Sequence, residues 1–381
     1  MKRFILLFIT MLLFIPNVKA EEDLVPNAGS GILIEKSTGQ ILYEKNAHEK
    51  RPMASMTKIM SMLLVMEQID KGKLTMEDEV LISENSANMG GSQVFLQPGE
   101  TYKVHDLLKS VAIASGNDAV VALAEKVAGT EEEFVNMMNN KVKELGLKDT
   151  NFENPHGLDS ENHYSTAYDM AMLGRELLKY EDILKFTSTY EDYLKKPDGS
   201  SIWLVNTNKL VRFYEGVDGL KTGYTKTAGY CLTATAKKND MRLISVVMGE
   251  DSPDHRSSDT VKLLSYGFNN FKLHNILTTK EKVGEITIKS GKKEKANIYI
   301  NEDATELLKN TDDVNKYKFD VTTYNIKAPV KKKDVVGILE IKDNKGKVIT
   351  KKNLVINEDI EKANIIDYYK RNLKTIISGK N

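Results

Sequence analysis

The sequence predicts an α+β fold, an antiparallel sheet with helices packed on it, followed by a small all-β domain and a C-terminal amphipathic helix. Three observations carry this. Two hairpin patterns bracket a long stretch of three–four apolar spacing, short alternating runs follow from about residue 273, and the tail returns to helical spacing with one apolar stripe.

The composition fits a folded chain of this size. Of 381 residues, 41% are hydrophobic and 28% charged, which is globular rather than disordered, and the length suits two domains. The 54 basic residues equal the 54 acidic ones, so no global basic field argues for nucleic acid as a partner.

The first element is a leader. "MKRFILLFITMLLFIPNVKAEED" has two basic residues, an apolar run from Phe4 to Ile15, and Val18-Lys19-Ala20 as a small-x-small cleavage site. This reads as a secretory signal over residues 1–20, with the mature chain starting near Glu21, because the run is shorter than the roughly 20 residues of a spanning helix.

Next, "GSGILIEKSTGQILYEKN" gives two short strands around a Ser-Thr-Gly turn. From Thr57 to about residue 190 the spacing is helical, in "TKIMSMLLVMEQI", "VHDLLKSVAIA", "NDAVVALAEKVAG", "EEEFVNMMNNKVKELG" and "TAYDMAMLGRELLKY". "YCLTATA" and "MRLISVVMG" flank the turn "KKND" as a second hairpin, and "SDTVKLLSYGFNNF" is a closing helix, so a first domain spans residues 21–272. "VGEITIKS", "KANIYIN", "FDVTTYN", "VVGILEIKD" and "KVITKKNLVI" alternate between turns and form the small β-rich domain, 273–357. In the tail, 358–381, Ile365, Ile366, Tyr369, Leu373, Ile376 and Ile377 share one stripe flanked by Asp367, Lys370, Arg371 and Lys374. Such a helix either lies in a membrane interface or docks on the β domain.

Cys231 is the only cysteine, so no intramolecular disulfide can form, and it reads as a small core residue. The six histidines make no His-x-x-x-His or similar cluster, so neither a metal nor another cofactor is expected; His105 and His156 read as structural.

Three motifs bear on chemistry. In "SMTKIM", side chains three apart share a helix face, so Lys58 would hold its amine beside the Ser55 hydroxyl; alternatively Ser55 caps the helix and Lys58 snorkels. Ser290 and Lys293 repeat the spacing in an apparent turn. In "SVAIASGND", Ser115-Gly116-Asn117 interrupts two helices, as a turn and cap also would. In "GVDGLKTGYT", Lys221-Thr222-Gly223 opens a strand, where a cation and a hydroxyl could receive a carboxylate and the glycine could admit a substrate backbone; a bulged polar edge strand is the alternative.

The three motifs in this order give the pattern of β-lactamases and penicillin-binding proteins. With "PMASMTKIM", "ENSANMGGSQVFLQPGE", "LLKSVAIASGNDAVVALAE", "NPHGLD", "STAYDMA" and "GVDGLKTGYT", nearly the whole mature chain resembles the D-alanyl-D-alanine carboxypeptidases, the low-molecular-mass penicillin-binding proteins. The resemblance implies a β-lactamase/transpeptidase-like catalytic domain, and it tips the tail toward membrane anchoring at the outer face of the bacterial cytoplasmic membrane. It further implies attack by Ser55 on peptidoglycan stem peptides ending in D-Ala-D-Ala, with release of the terminal alanine and hydrolysis of the acyl-serine.

In that scheme Lys58 is the base, Ser115 carries a proton to the leaving amine, and Asn117 orients Lys58 and the substrate. The backbone N–H groups of Ser55 and Tyr224 form an oxyanion hole. Lys221 and Thr222 take the substrate carboxylate beside Gly223. Arg256 in "DSPDHRSSD" matches a family position supplying a further cation, the alternative being a surface arginine in a polar loop. β-Lactams are then expected as covalent inhibitors that leave slowly, since no Glu-x-x-Leu-Asn counterpart of a class A β-lactamase is present. A β-lactamase and a non-catalytic wall-binding protein are the rival readings.

Overall fold

A computed structural model of the chain describes residues 23–314 and 316–370, so the segment read as a leader and the end of the tail lie outside the described residues. The chain opens with the hairpin β1 (Ser30–Glu35) and β2 (Ile41–Lys45). A 3₁₀ turn, Ala54–Thr57, leads into α1 (Lys58–Asp70). There follow the hairpin β3 (Glu79–Leu81) and β4 (Thr101–Lys103), α2 (Val104–Ala114), α3 (Asn117–Ala128), α4 (Glu131–Glu144) and α5 (Ala167–Leu177). The hairpin β5 (Glu191–Lys195) and β6 (Ser201–Val205) precedes β7 (Val217–Thr225), β8 (Gly229–Lys238), β9 (Met241–Glu250) and α6 (Pro253–Asn270).

The main sheet is antiparallel, ordered β2-β1-β9-β8-β7, so its middle strand pair joins the two ends of the region. Both faces are covered. Ile32 and Ile34 of β1 with Ile244, Val246 and Met248 of β9 face α1 and the helices around it. Leu33, Leu243 and Val247 face α6 through Leu263 and Leu264. Burial on both sides explains why "MRLISVVMG" reads as a continuous apolar run instead of an alternating one. At the centre, α1 is buried from Lys58 to Glu67, which is why it is apolar on every side. Its one buried acid, Glu67, meets Lys141 at 2.8 Å.

The second unit begins with β10 (Phe271–Leu277), β11 (Gly284–Lys289), β12 (Lys295–Ile300) and β13 (Ala304–Lys309). It continues with β14 (Lys318–Thr323), β15 (Ile326–Lys327), β16 (Val335–Lys342) and β17 (Val348–Ile356). A six-stranded sheet, β14-β16-β17-β12-β11-β15, closes over Ile286, Ile298, Leu339 and Leu354, while β10 pairs with β13. Phe271 and Leu307 pack into the core beneath α6, which ties this unit to the first.

The structure differs from the sequence reading in several places. The middle region is not helical throughout, because β3/β4 folds out of a short mixed segment. The closing helix starts at Pro253, capped by Ser252, which accepts the His255 N–H, so "DSPDHRSSD" is a helix start rather than a loop. In the tail, Ile360 and Ala363 are buried and Ile360 belongs to the β core, so helical residues begin only at 365. Ile365, Ile366 and Tyr369 are exposed there, and Arg371, Leu373, Lys374, Ile376 and Ile377 lie outside the described residues. Among the described residues no helix is long and apolar enough to cross a membrane.

Candidate active site

The turn Ala54–Thr57 builds the first part of the site. In a 3₁₀ turn residues i and i+3 eclipse, so Ser55 stands over Lys58, and Lys58 Nζ lies 3.0 Å from Ser55 Oγ. The Ser290–Lys293 pair, by contrast, sits at an exposed turn where Lys293 meets Glu358 at 2.6 Å.

Lys58 is fully buried, and its amine meets two further oxygens, Asn117 Oδ1 at 2.6 Å and the carbonyl of His156 at 2.7 Å. Burial holds its pKa well below the ordinary lysine range, and the charge of Lys221 lowers it further. A neutral amine has two hydrogens and one lone pair. In that form, with Asn117 and His156 taking the hydrogens, the lone pair would be left for the Ser55 hydroxyl.

Asn117 opens α3 and is itself fixed, its Nδ2 donating to Gly90 O at 2.6 Å and its backbone N–H to Ser92 O at 2.7 Å. Ser115 ends α2 in the left-handed region at φ 64°, and its buried Oγ has no hydrogen-bond partner among the described residues. Asp118, which follows Asn117, accepts the N–H groups of Val94 and Leu96 and so pins the segment that covers this corner.

Lys221, Thr222 and Gly223 lie inside β7, at the edge of the sheet, rather than at its start. Gly223 serves a purpose the sequence did not disclose. A Cβ there would come 2.6 Å from Met53 O and 3.1 Å from Met56 N, so the missing side chain lets β7 approach the serine turn itself. Thr222 Oγ1 donates to Thr207 Oγ1 at 2.7 Å, and the Thr207 N–H reaches Ile113 O, bridging the strand to α2. Lys221 is 1% exposed; burial, and then the nearby Arg256, lower its pKa to about 7. Arg256 is 9% exposed and lies on α6, so the surface-loop alternative is corrected: it is a buried cation whose charge reaches Lys221. Tyr224 keeps its ring half exposed, stacked on Tyr230 at 4.3 Å, consistent with a position where the backbone is what the site uses.

The structure thus brings Ser55 and Asn117 each into contact with Lys58, sets Lys221 near enough for its charge to act on Lys58, and sets Arg256 near enough to act on Lys221. The sequence reading missed the His156 carbonyl, Thr207 and Asp118. The His156 ring is buried, with Nδ1 accepting the Leu158 N–H and burial lowering its pKa to about 3. Chemically, a serine beside a buried amine that its surroundings push toward the neutral form can be activated as a nucleophile, and the buried basic groups Lys221 and Arg256 would attract an anionic substrate end.

Comparison with known proteins agrees. A family model described as D-alanyl-D-alanine carboxypeptidase matches residues 17–252, and one described as Penicillin-binding protein 5, C-terminal domain matches 271–362. The chain is 48% identical to D-alanyl-D-alanine carboxypeptidase DacF of Bacillus subtilis (strain 168), over 97% of this chain and 96% of that one. It resembles penicillin binding protein 5 from Haemophilus influenzae at TM-score 0.70 and 34% identity, covering 88% of this chain and 98% of that one. Penicillin-Binding Protein D2 from Listeria monocytogenes, solved in an ampicillin-bound form, matches at TM-score 0.59 and 31% identity, over 65% of this chain and 100% of that one.

Proposed function

The chain belongs to the D-alanyl-D-alanine carboxypeptidase family of low-molecular-mass penicillin-binding proteins, and from that premise we propose how its residues divide the work. The activity is that of a serine-type D-alanyl-D-alanine carboxypeptidase, a hydrolase of peptidoglycan stem peptides that binds penicillin.

Ser55 attacks the carbonyl between the two alanines, and neutral Lys58 takes its proton. The N–H groups of Ser55 and Tyr224 hold the resulting oxyanion. Collapse expels D-alanine, whose amine receives a proton through Ser115, and water then frees the acyl group from Ser55. Asn117 keeps Lys58 oriented, while Lys221, Thr222 and Arg256 receive the free carboxylate that marks a carboxypeptidase substrate. The observation that carries this reading is the three-oxygen cradle around the buried Lys58 amine.

The same premise extends to the chain's ends. Residues 1–20 act as an export signal, and the tail binds the outer face of the cytoplasmic membrane; exposed Ile365, Ile366 and Tyr369 support that placement. The domain division follows, with residues 21–272 catalytic and the β-rich unit carrying the tail.

The test is to treat the protein with benzylpenicillin and locate the adduct by peptide mass spectrometry. A penicilloyl group on Ser55 is expected; an adduct on another residue would overturn the assignment.

A further inference from the structure

A buried histidine stands behind the serine turn and takes no part in the steps above. Ala54, immediately before Ser55, has φ 47°, a left-handed conformation that an alanine keeps only where its surroundings impose it. Those surroundings are specific. Thr57 Oγ1 donates to Ala54 O at 2.8 Å and lies 2.7 Å from His163 Nε2, while His163 Nδ1 accepts the Glu153 N–H at 3.0 Å. Because Nδ1 is an acceptor, Nε2 carries the proton and donates to Thr57, which directs the threonine's own hydrogen onto the Ala54 carbonyl. His163 is 4% exposed and meets the Phe152 ring edge-on at 5.8 Å. Its burial lowers its pKa to about 4, which keeps the ring neutral at ordinary pH. On the same carbonyl, Gly157 presses with no side chain, since a Cβ there would collide with Ala54 O.

We propose that His163 is a positioning residue for Ser55: through the Thr57 hydroxyl it holds the Ala54 carbonyl, and with it the left-handed turn that presents Ser55 Oγ to Lys58. This rests on Ser55 being the nucleophile.

Two substitutions separate this role from simple support. His163→Gln places its amide where Nε2 lies and keeps the bond to Thr57 while losing the acceptor for Glu153. His163→Asn does the reverse. Each variant loses one hydrogen bond, so melting temperatures are expected to match while the second-order rate of benzylpenicillin acylation does not. His163→Gln should acylate within about threefold of wild type, and His163→Asn and Thr57→Val about tenfold or more slower, as expected for a slightly misplaced nucleophile. The double variant His163→Asn/Thr57→Val should be no slower than Thr57→Val alone. Equal rates for the Gln and Asn variants, or additive losses in the double variant, would overturn the proposal. A wild type that does not acylate at Ser55 would instead remove the function reading, and the proposal with it.

Discussion

The Lys58 amine lies 2.7 Å from the backbone carbonyl of His156, 98 residues further along the chain. With Asn117 Oδ1 at 2.6 Å, that carbonyl fixes which way the amine's lone pair can point. Replacing the amine by a thioether of similar length should therefore abolish base catalysis while leaving the fold in place. Lys58→Met is expected to slow acylation by roughly 10²–10⁴-fold, measured with benzylpenicillin.

The same variant carries a stability signature. Lys58 has a folded pKa below its unfolded value near ~10.4, so the unfolded chain binds the extra proton between the two, and wild-type stability rises with pH across that window. Lys58→Met lacks this slope. The difference in melting temperature, wild type minus variant, should grow from pH 7 to pH 10.

With its pKa lowered to about 7, Lys221 is expected to set the alkaline side of the activity profile. It is a cation below that pH and neutral above it, so kcat/KM for peptides ending in a free carboxylate should fall as pH rises through about 7. A bound carboxylate favours the charged form, so the matching break in kcat should lie at higher pH. Coincident breaks would remove Lys221 from carboxylate binding.

Arg256→Ala should raise KM about tenfold or more for carboxylate-ended peptides, as for a lost hydrogen bond to a charged group, and leave an amide-ended peptide's KM unchanged. Steady-state kinetics on the two peptides checks this. Unchanged KM for both would take Arg256 out of the site.

For the tail, the burial of Ile360 and Ala363 sets where a truncation can be made. Ending the chain at Ala363 should release the protein from membranes and leave hydrolysis of soluble peptides intact, as scored by flotation and peptide turnover. Membrane binding that persists would count against the anchor.

Ser55 and Lys58 were legible because a helical period and a three-residue spacing are local properties, as was the central, all-apolar α1 that buries Lys58. The His156 carbonyl was not legible, because a backbone acceptor has no residue signature and only the tertiary fold brings it to the amine. Thr207 escaped because its hydroxyl meets Thr222, 15 residues further on, only in the tertiary fold. Arg256 was misplaced although its signal was present: Ser252-Pro253-Asp254 is a cap, a proline at the first helical position and an acid in the first turn. Strands β10 and β13 were missed because their faces are divided between two cores and show no clean alternation.

The most direct measurement is release of D-alanine from diacetyl-L-Lys-D-Ala-D-Ala by residues 21–381, with Ser55→Ala alongside. Release by the wild type and none by the variant is the expected result. Equal release by both, or none from a folded wild type, would contradict a carboxypeptidase acting through Ser55.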